Sequence, residues 1–133
     1  MAFGINITEI PAKAVAAIEA ELPSRAVRAT NALINAKNMV LRGARSGRMY
    51  GGHQASAPGE PPANWSGHLR DSGWKQIDDA HRPAIVSDTW YAELLENGTP
   101  GGQMAPRPFR EAILKEAIPE VTAIYKEPWH IKL

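Results

Sequence analysis

The residues best equipped for chemistry in this chain are four histidines, His53, His68, His81 and His130, and two adjacent carboxylates, Asp78 and Asp79. No two histidines stand at the three- or four-residue spacing that puts a pair of ligands on one helix face, so solvated or core histidines fit better than a metal site. Asp78 and Asp79 close an alternating segment, where neighbouring side chains point to opposite faces and cannot flank one bond together. Ser46-Gly47 and Ser66-Gly67 lack the G-x-S-x-G elbow of a nucleophilic serine. The chain has no cysteine, which removes both a thiolate nucleophile and a disulfide framework. Gly98-Thr-Pro-Gly-Gly102 lacks the Lys-Ser/Thr of a phosphate-binding loop and reads as a turn. The expectation is a chain with no catalytic, cofactor-binding or metal residues, and not an enzyme.

At 133 residues and 44% hydrophobic content, the chain suits one domain covering 1–133. The opening MAFGINITEIPAK has no basic stretch leading into an apolar one, and no apolar run nears the roughly 18 residues of a membrane span. A soluble, unexported protein with no membrane partner is expected. The net charge of +1 conceals an asymmetry: residues 1–59 hold seven Lys/Arg against three Asp/Glu, and residues 60–133 hold eight against eleven. Between Glu21 and Glu60 there is no acidic residue at all, while Arg25, Arg28, Lys37, Arg42, Arg45 and Arg48 all fall there. Such a run calls for an acidic partner, either nucleic acid or the acidic half of a neighbouring copy.

The elements that must carry these residues begin with a helix over Ala12–Glu21, with Pro11 at its first position. Pro23 is expected to break or kink it, and Ser24 to cap a second and longer helix over Arg25–Ala44. On that helix Ala26, Ala29, Leu33, Ala36, Val40 and Ala44 form one apolar stripe. Val27, Ile34 and Leu41 recur at seven-residue steps and form another, either buried in the same domain or offered to a second subunit. Arg28, Arg42 and Arg45 fall roughly opposite the first stripe and are expected to face solvent. Residues 46–66, with four Gly and three Pro, read as a long loop or arm. Gly73–Asp79 and Pro83–Asp88 have the pattern of a hairpin. A short helix over Thr89–Glu96 stops at Asn97-Gly98, and Pro108 opens another helix through Phe109, Ala112, Ile113 and Ala117, with Pro119 near its end or at a kink. A further helical turn is expected over Glu120–Tyr125 and an edge strand over Trp129–Leu133. The fold class is α+β: a long N-terminal helix on a small antiparallel sheet, a C-terminal helix and a long Gly/Pro-rich loop.

Three stretches of the chain resemble a family of small siphophage head-to-tail connection proteins, neck or minor tail proteins related to the lambda tail-completion protein Z. The first is Gly51–Trp74, a Pro-rich loop feeding Ser66-Gly67-x-Leu69-x-x-Ser72. The second is Tyr91-Ala92 followed by Glu96-x-Gly98-Thr99, and the third is Met104-Ala-Pro-Arg-Pro-Phe109. Together they follow the family pattern, in order, over about half the chain. Departures are Ala105-Pro106 in place of Pro-Ala before Arg107, Ser66 in place of the commoner Thr, and an unusually basic second helix. The family-motif residues carried over are Gly67, Leu69, Ser72, Tyr91, Gly98, Thr99, Pro108 and Phe109.

The resemblance implies a homo-oligomeric ring, sixfold rather than twelvefold, at the junction of phage head and tail. Its partners would be head-closure and tail-tube or terminator proteins, with double-stranded DNA passing through the channel. Assembly would occur in the host cytoplasm, and the final location would be the virion neck or tail. Alternatives are a tail-terminator ring, or a nucleic-acid-binding regulator using the basic segment 25–48. Residues expected at a subunit interface are Val27, Ile34, Leu41, Arg28, Arg42, Arg45, Arg107 and Glu96. Arg107 enters this set because a cation is disfavoured at a helix N-terminus, which suggests a carboxylate partner: Glu96 in the same chain or an acidic residue of a neighbour.

Overall fold

The computed structural model describes residues 9–43, 45–63, 68–71 and 73–131. Its order is α1 (Glu9–Arg42), β1 (Met49–Tyr50), β2 (His53–Gln54), α2 (His68–Asp71), β3 (Trp74–Ile77), β4 (Ala84–Ser87), α3 (Ala92–Asn97) and α4 (Arg110–Lys126). Two separate antiparallel pairs, β1–β2 and β3–β4, make up the sheet structure. This is the α+β class expected, with long N-terminal and C-terminal helices around small antiparallel sheets.

The two helices expected on either side of Pro23 are one. α1 runs 34 residues with Pro23 inside it. A proline there removes one backbone donor and normally costs about 3 kcal/mol, so tertiary packing must offset it. The offset comes from the alanine stripe: Ala26, Ala29 and Ala36 are all buried, with Leu33 and Val40 half-buried beside the core. Ser24 does not cap a helix; its hydroxyl donates back to Glu21 O at 3.2 Å. α4 likewise runs through Pro119 as a single helix, and includes the turn expected separately over 120–125. Residues 129–131 form no strand, and 132–133 lie outside the described residues, as does Ala44 of the stripe.

The core gathers Ala36 and Leu41 of α1, Ala92 of α3 and Phe109, Ile113 and Ala117 at and within α4, with Leu69, Trp74, Ile85 and Leu95 packed around them. Small residues on α1 let α4 lie close along it. The β3–β4 hairpin has the register Trp74↔Ser87 to Ile77↔Ala84 and docks on this pair through Trp74. The Trp74 ring meets Phe109 edge-on at 6.3 Å, and its indole N–H donates to Leu69 O at 2.5 Å. Gly73, entering β3, has φ +72, and a Cβ there would stand 2.5 Å from Thr89 Oγ1, so only glycine fits. At the hairpin's far end Asp78 Oδ1 lies 2.6 Å from Thr30 Oγ1 on α1, and Gln76 Nε2 donates to both.

The 46–66 segment is less featureless than its composition suggests. Gly51 and Gly52 both take positive φ, the two-residue turn that matches strand twist, and close a short ribbon from Gly47 to Ala55. Its root is held by Glu60, whose carboxylate accepts from Ser46 and from the Ala57 N–H. Residues 64–66 of the expected loop are outside the described residues.

Candidate interaction surface

Two regions flank α4. Along one, α4 is sealed onto α1 by a cation. Arg25, only 4% exposed, donates to Ile124 O at 2.5 Å, Glu127 O at 3.1 Å and Pro128 O at 2.9 Å, with its guanidinium 3.7 Å from the centre of the Trp129 ring. The last carbonyls of a helix lack intrahelical donors and carry the negative end of the helix dipole, which a buried arginine fork satisfies on both counts. One turn further along α1, Arg28 pairs bidentately with Glu127, and this hydrogen bonding holds the Glu127 carboxyl below its ordinary range.

Along the other region α4 is left open. A cavity of about 520 Å³ lies between β4, α3 and the first turns of α4, with Trp74 and Leu33 also lining it. Phe109, Ile113 and Leu114 line one wall, Pro83–Ser87 another, and Glu93, Glu96 and Arg110 stand among the lining residues. Among the described residues no third strand lies beyond β4. Asp88 N–H donates to Gly73 O at 2.7 Å, so by antiparallel alternation Val86 and Ala84 bond to β3. Ile85 and Ser87 therefore turn their backbone groups to the open edge. On the turn before α3, next to the cavity-lining Ala92, Trp90 is 82% exposed and meets Tyr91 edge-on at 5.4 Å.

The second and third stretches of the resemblance form the frame of this open region. Gly98, at φ +79, ends α3, and a Cβ there would meet Met104 O at 2.8 Å. Thr99 then clamps the loop: its N–H donates to Met104 O and its hydroxyl accepts from Met104 N–H. Phe109 is buried, Leu69 packs on the core, and Tyr91 O accepts from Leu95 N–H. Pro108 precedes α4 rather than opening it; Phe109 is the capping position and Arg110 the first helical residue. Gly67 and Ser72 lie outside the described residues.

Several expected interface residues have other duties. Glu96 does not pair with Arg107: its carboxylate accepts from the N–H groups of Phe109 at 2.8 Å and Arg110 at 3.2 Å. It thus caps α4 from a distance in sequence, where the helix dipole favours an anion. Arg107 donates instead to Ala105 O at 2.9 Å and Ser56 O at 3.2 Å, and its N–H bonds Leu95 O at 2.6 Å, so carbonyls take the place of the carboxylate. Leu41 is 2% exposed in the core and cannot serve a neighbour. A seven-residue step falls about 20° short of two full helical turns, so Val27, Ile34 and Leu41 drift around α1 from exposed through half-buried to buried. Arg45 is not solvent-facing; it folds back onto Val40 O, Pro61 O and Pro62 O. Arg42 is exposed, as expected.

Two buried cations were missed. Arg25 stands four and seven residues before Ala29 and Ala32, on the flank of the buried stripe, and that spacing was the available signal. Lys37 is buried too, donating to Arg70 O at 2.5 Å and lying 5.5 Å from the Trp74 ring; burial holds its ammonium below the ordinary lysine range. The basic run is thus partly answered within the chain, by carbonyls at Arg25 and Lys37 and by the Glu127 carboxylate at Arg28. Of the histidines, His81 meets Glu19 at 2.9 Å and His130 meets Glu21 at 2.7 Å, and no cluster able to hold a metal ion occurs among the described residues. No described helix is long and apolar enough to cross a membrane. Compared with known proteins, the chain matches no family model, no curated protein and no solved structure.

Proposed function

We propose that this chain is a structural subunit of a tailed-phage particle, forming a ring at the head-to-tail junction through which double-stranded DNA passes. The reading rests on the resemblance of the three stretches. One structural observation supports it further: three residues of the resembling stretches line an apolar cavity. Ala92, Glu96 and Phe109 line a cavity of about 520 Å³, and Trp90 beside it is 82% exposed. An apolar cavity with an exposed aromatic on the neighbouring turn suits a protein–protein contact, because aromatic anchors seated in pockets carry much of the energy of such contacts. A groove on one face serves a ring when a different face of the next copy fills it, because head-to-tail contacts close into rings. A neck, tail-completion or terminator position all use this geometry, with head-closure and tail proteins above and below.

A nucleic-acid-binding regulator draws less support, since Arg25, Arg28, Lys37 and Arg45 are engaged with groups of their own chain. Native mass measurement of the purified protein, alone and with phage heads and tails, tests the proposal. A closed assembly of six copies, located at the neck by imaging of the particle, is expected. A chain that stays monomeric with heads and tails present, and instead binds duplex DNA with steep salt dependence, would overturn it.

A further inference from the structure

The β1–β2 ribbon is an unusual feature for a stable monomer. A two-stranded hairpin is marginal in water on its own, yet this one projects outward: a Cβ added at Gly51 or Gly52 would meet nothing within 4 Å. It also carries apolar cargo on the outside, with Met49 and Tyr50 both about half exposed. Successive strand residues face opposite ways. Tyr50 therefore shares a face with Arg48, whose guanidinium lies 5.2 Å from its ring, and Met49 points to the other face.

The open groove offers what this ribbon lacks. Among the described residues no strand pairs with the outer edge of β4, beside which lies an apolar cavity large enough for several side chains, with the exposed Glu93 at its rim. The rim also holds Arg110, but that cation has its own neighbour in Glu111 at 3.8 Å. The ribbon is basic and has no acid between Glu21 and Glu60. The geometry points to the β1–β2 ribbon of a second copy of this chain as the occupant of the groove, laid along the open edge of β4 with Tyr50 as anchor. In that arrangement Arg48, on the same face as Tyr50, reaches Glu93. Met49 comes out on the opposite face, beside Val86. Strand addition to an open edge supplies backbone hydrogen bonds, and a rigid aromatic with two rotatable bonds fills a pocket at low entropic cost. The identity of the occupant rests on the ring reading above, because donor and acceptor sites on different faces of one chain generate a head-to-tail array.

The absence of cysteine makes the test clean. Met49→Cys and Val86→Cys are prepared as separate proteins and as one double variant, then treated with an oxidant. Mixing the two single variants is expected to give a disulfide-linked pair, and the double variant a ladder of linked copies ending at the ring size. Tyr50→Ala, introduced into the double variant, should lower the linked yield roughly tenfold or more, as for an interface anchor, with the thermal midpoint unchanged. A ladder that stops at two copies supports ribbon-in-groove docking but overturns the ring. Rings that form without any cross-link and are indifferent to Tyr50→Ala overturn the docking and leave the ring standing. A protein that stays monomeric with no cross-link at any concentration, with phage heads and tails present as well as alone, overturns both.

Discussion

The two sides of α4 solve opposite problems. On the α1 side the helix end is tied down by charge: Arg25 takes three carbonyls and Arg28 takes Glu127. On the β4 side Phe109, Ile113 and Leu114 border a cavity, and among the described residues no strand pairs with the outer sheet edge. Both sides use the same helix, so helix propensity does not distinguish them. The difference lies in whether the chain supplies its own cover. A seam closed by a buried cation is committed to the fold, whereas an uncovered wall on an otherwise fixed frame is available to a partner.

The sharpest way to break this comparison is at the seam. Arg25→Ala should destabilise the protein by about 3 kcal/mol, since hydrogen bonds from a charged donor are worth roughly 1.5–3 kcal/mol and three carbonyls at and just beyond the end of α4 lose theirs together. Arg25→Lys should recover less than half of that, because an ammonium cannot reproduce the planar fork or its stacking on Trp129. Urea unfolding measures both. A loss below about 0.5 kcal/mol for Arg25→Ala, the range of an ordinary surface change, would show that the seam is held by the alanine stripe alone.

A matched pair of alanines compares the two regions directly. Ala36 and Ala92 are both buried core members, but only Ala92 lines the cavity. Ala36→Leu forces methylenes into a filled contact and should cost about 1–3 kcal/mol. Ala92→Leu can direct the same atoms into the cavity, and should cost less than about 1 kcal/mol while impairing self-association. Equal costs at the two sites would mean that the groove is not open in the way described.

Glu96 sharpens the picture on the open side. It was expected at an interface and instead caps α4, so Glu96→Ala should cost about 1 kcal/mol of stability, the usual loss for a helix N-cap. Glu96→Gln keeps an acceptor oxygen and should fall between. If Glu96→Ala leaves unfolding unchanged but disrupts assembly, the capping role is secondary.

The parts of the fold that the sequence made legible are those with local periodicity. The alanine stripe, the β3–β4 hairpin and the glycine stop at Gly98 follow from spacing and turn chemistry. The continuity of α1 through Pro23 was not legible, because a local breaker was overridden by packing against α4, a contact about a hundred residues away in sequence. The β1–β2 ribbon was hidden for a different reason: its flanks are two residues each, too short to show alternation, although Gly51-Gly52 is itself a hairpin signal. At the candidate surface, the sequence offered Phe109 as a core anchor and Gly98 as a helix stop, as the structure has them, but the charges beside them were misjudged. Arg107 and Glu96 looked like a pair because a cation at a helix start calls for a carboxylate, whereas the backbone offers each a nearer partner. Lone side-chain charges carry no directional pattern in a sequence, and only the fold decides which carbonyl or N–H they meet.

The smallest effect expected concerns the link between the open hairpin and α1. His81, in the turn between β3 and β4, lies 2.9 Å from Glu19 on α1, and its hydrogen bond and charge attraction to that carboxylate raise the imidazole above its ordinary 6.5. The unfolded chain has no such partner, so the folded state holds the proton more tightly. That contribution is fully present below about pH 6.5 and is lost as pH rises through the raised folded value. Both groups are largely exposed, and exposed pairs contribute little, so the difference is read as a slope and not as a large midpoint shift. Unfolding of wild type and His81→Gln is measured at steps from about pH 5.5 to 8.5. The wild type should lose its advantage over His81→Gln across that range, with the two curves converging at the alkaline end. Parallel curves would mean that the imidazole contact does not hold the hairpin to α1. The hairpin's attachment, and with it the position of the open β4 edge, would then rest on Trp74 and on the contact of Thr30 with Asp78.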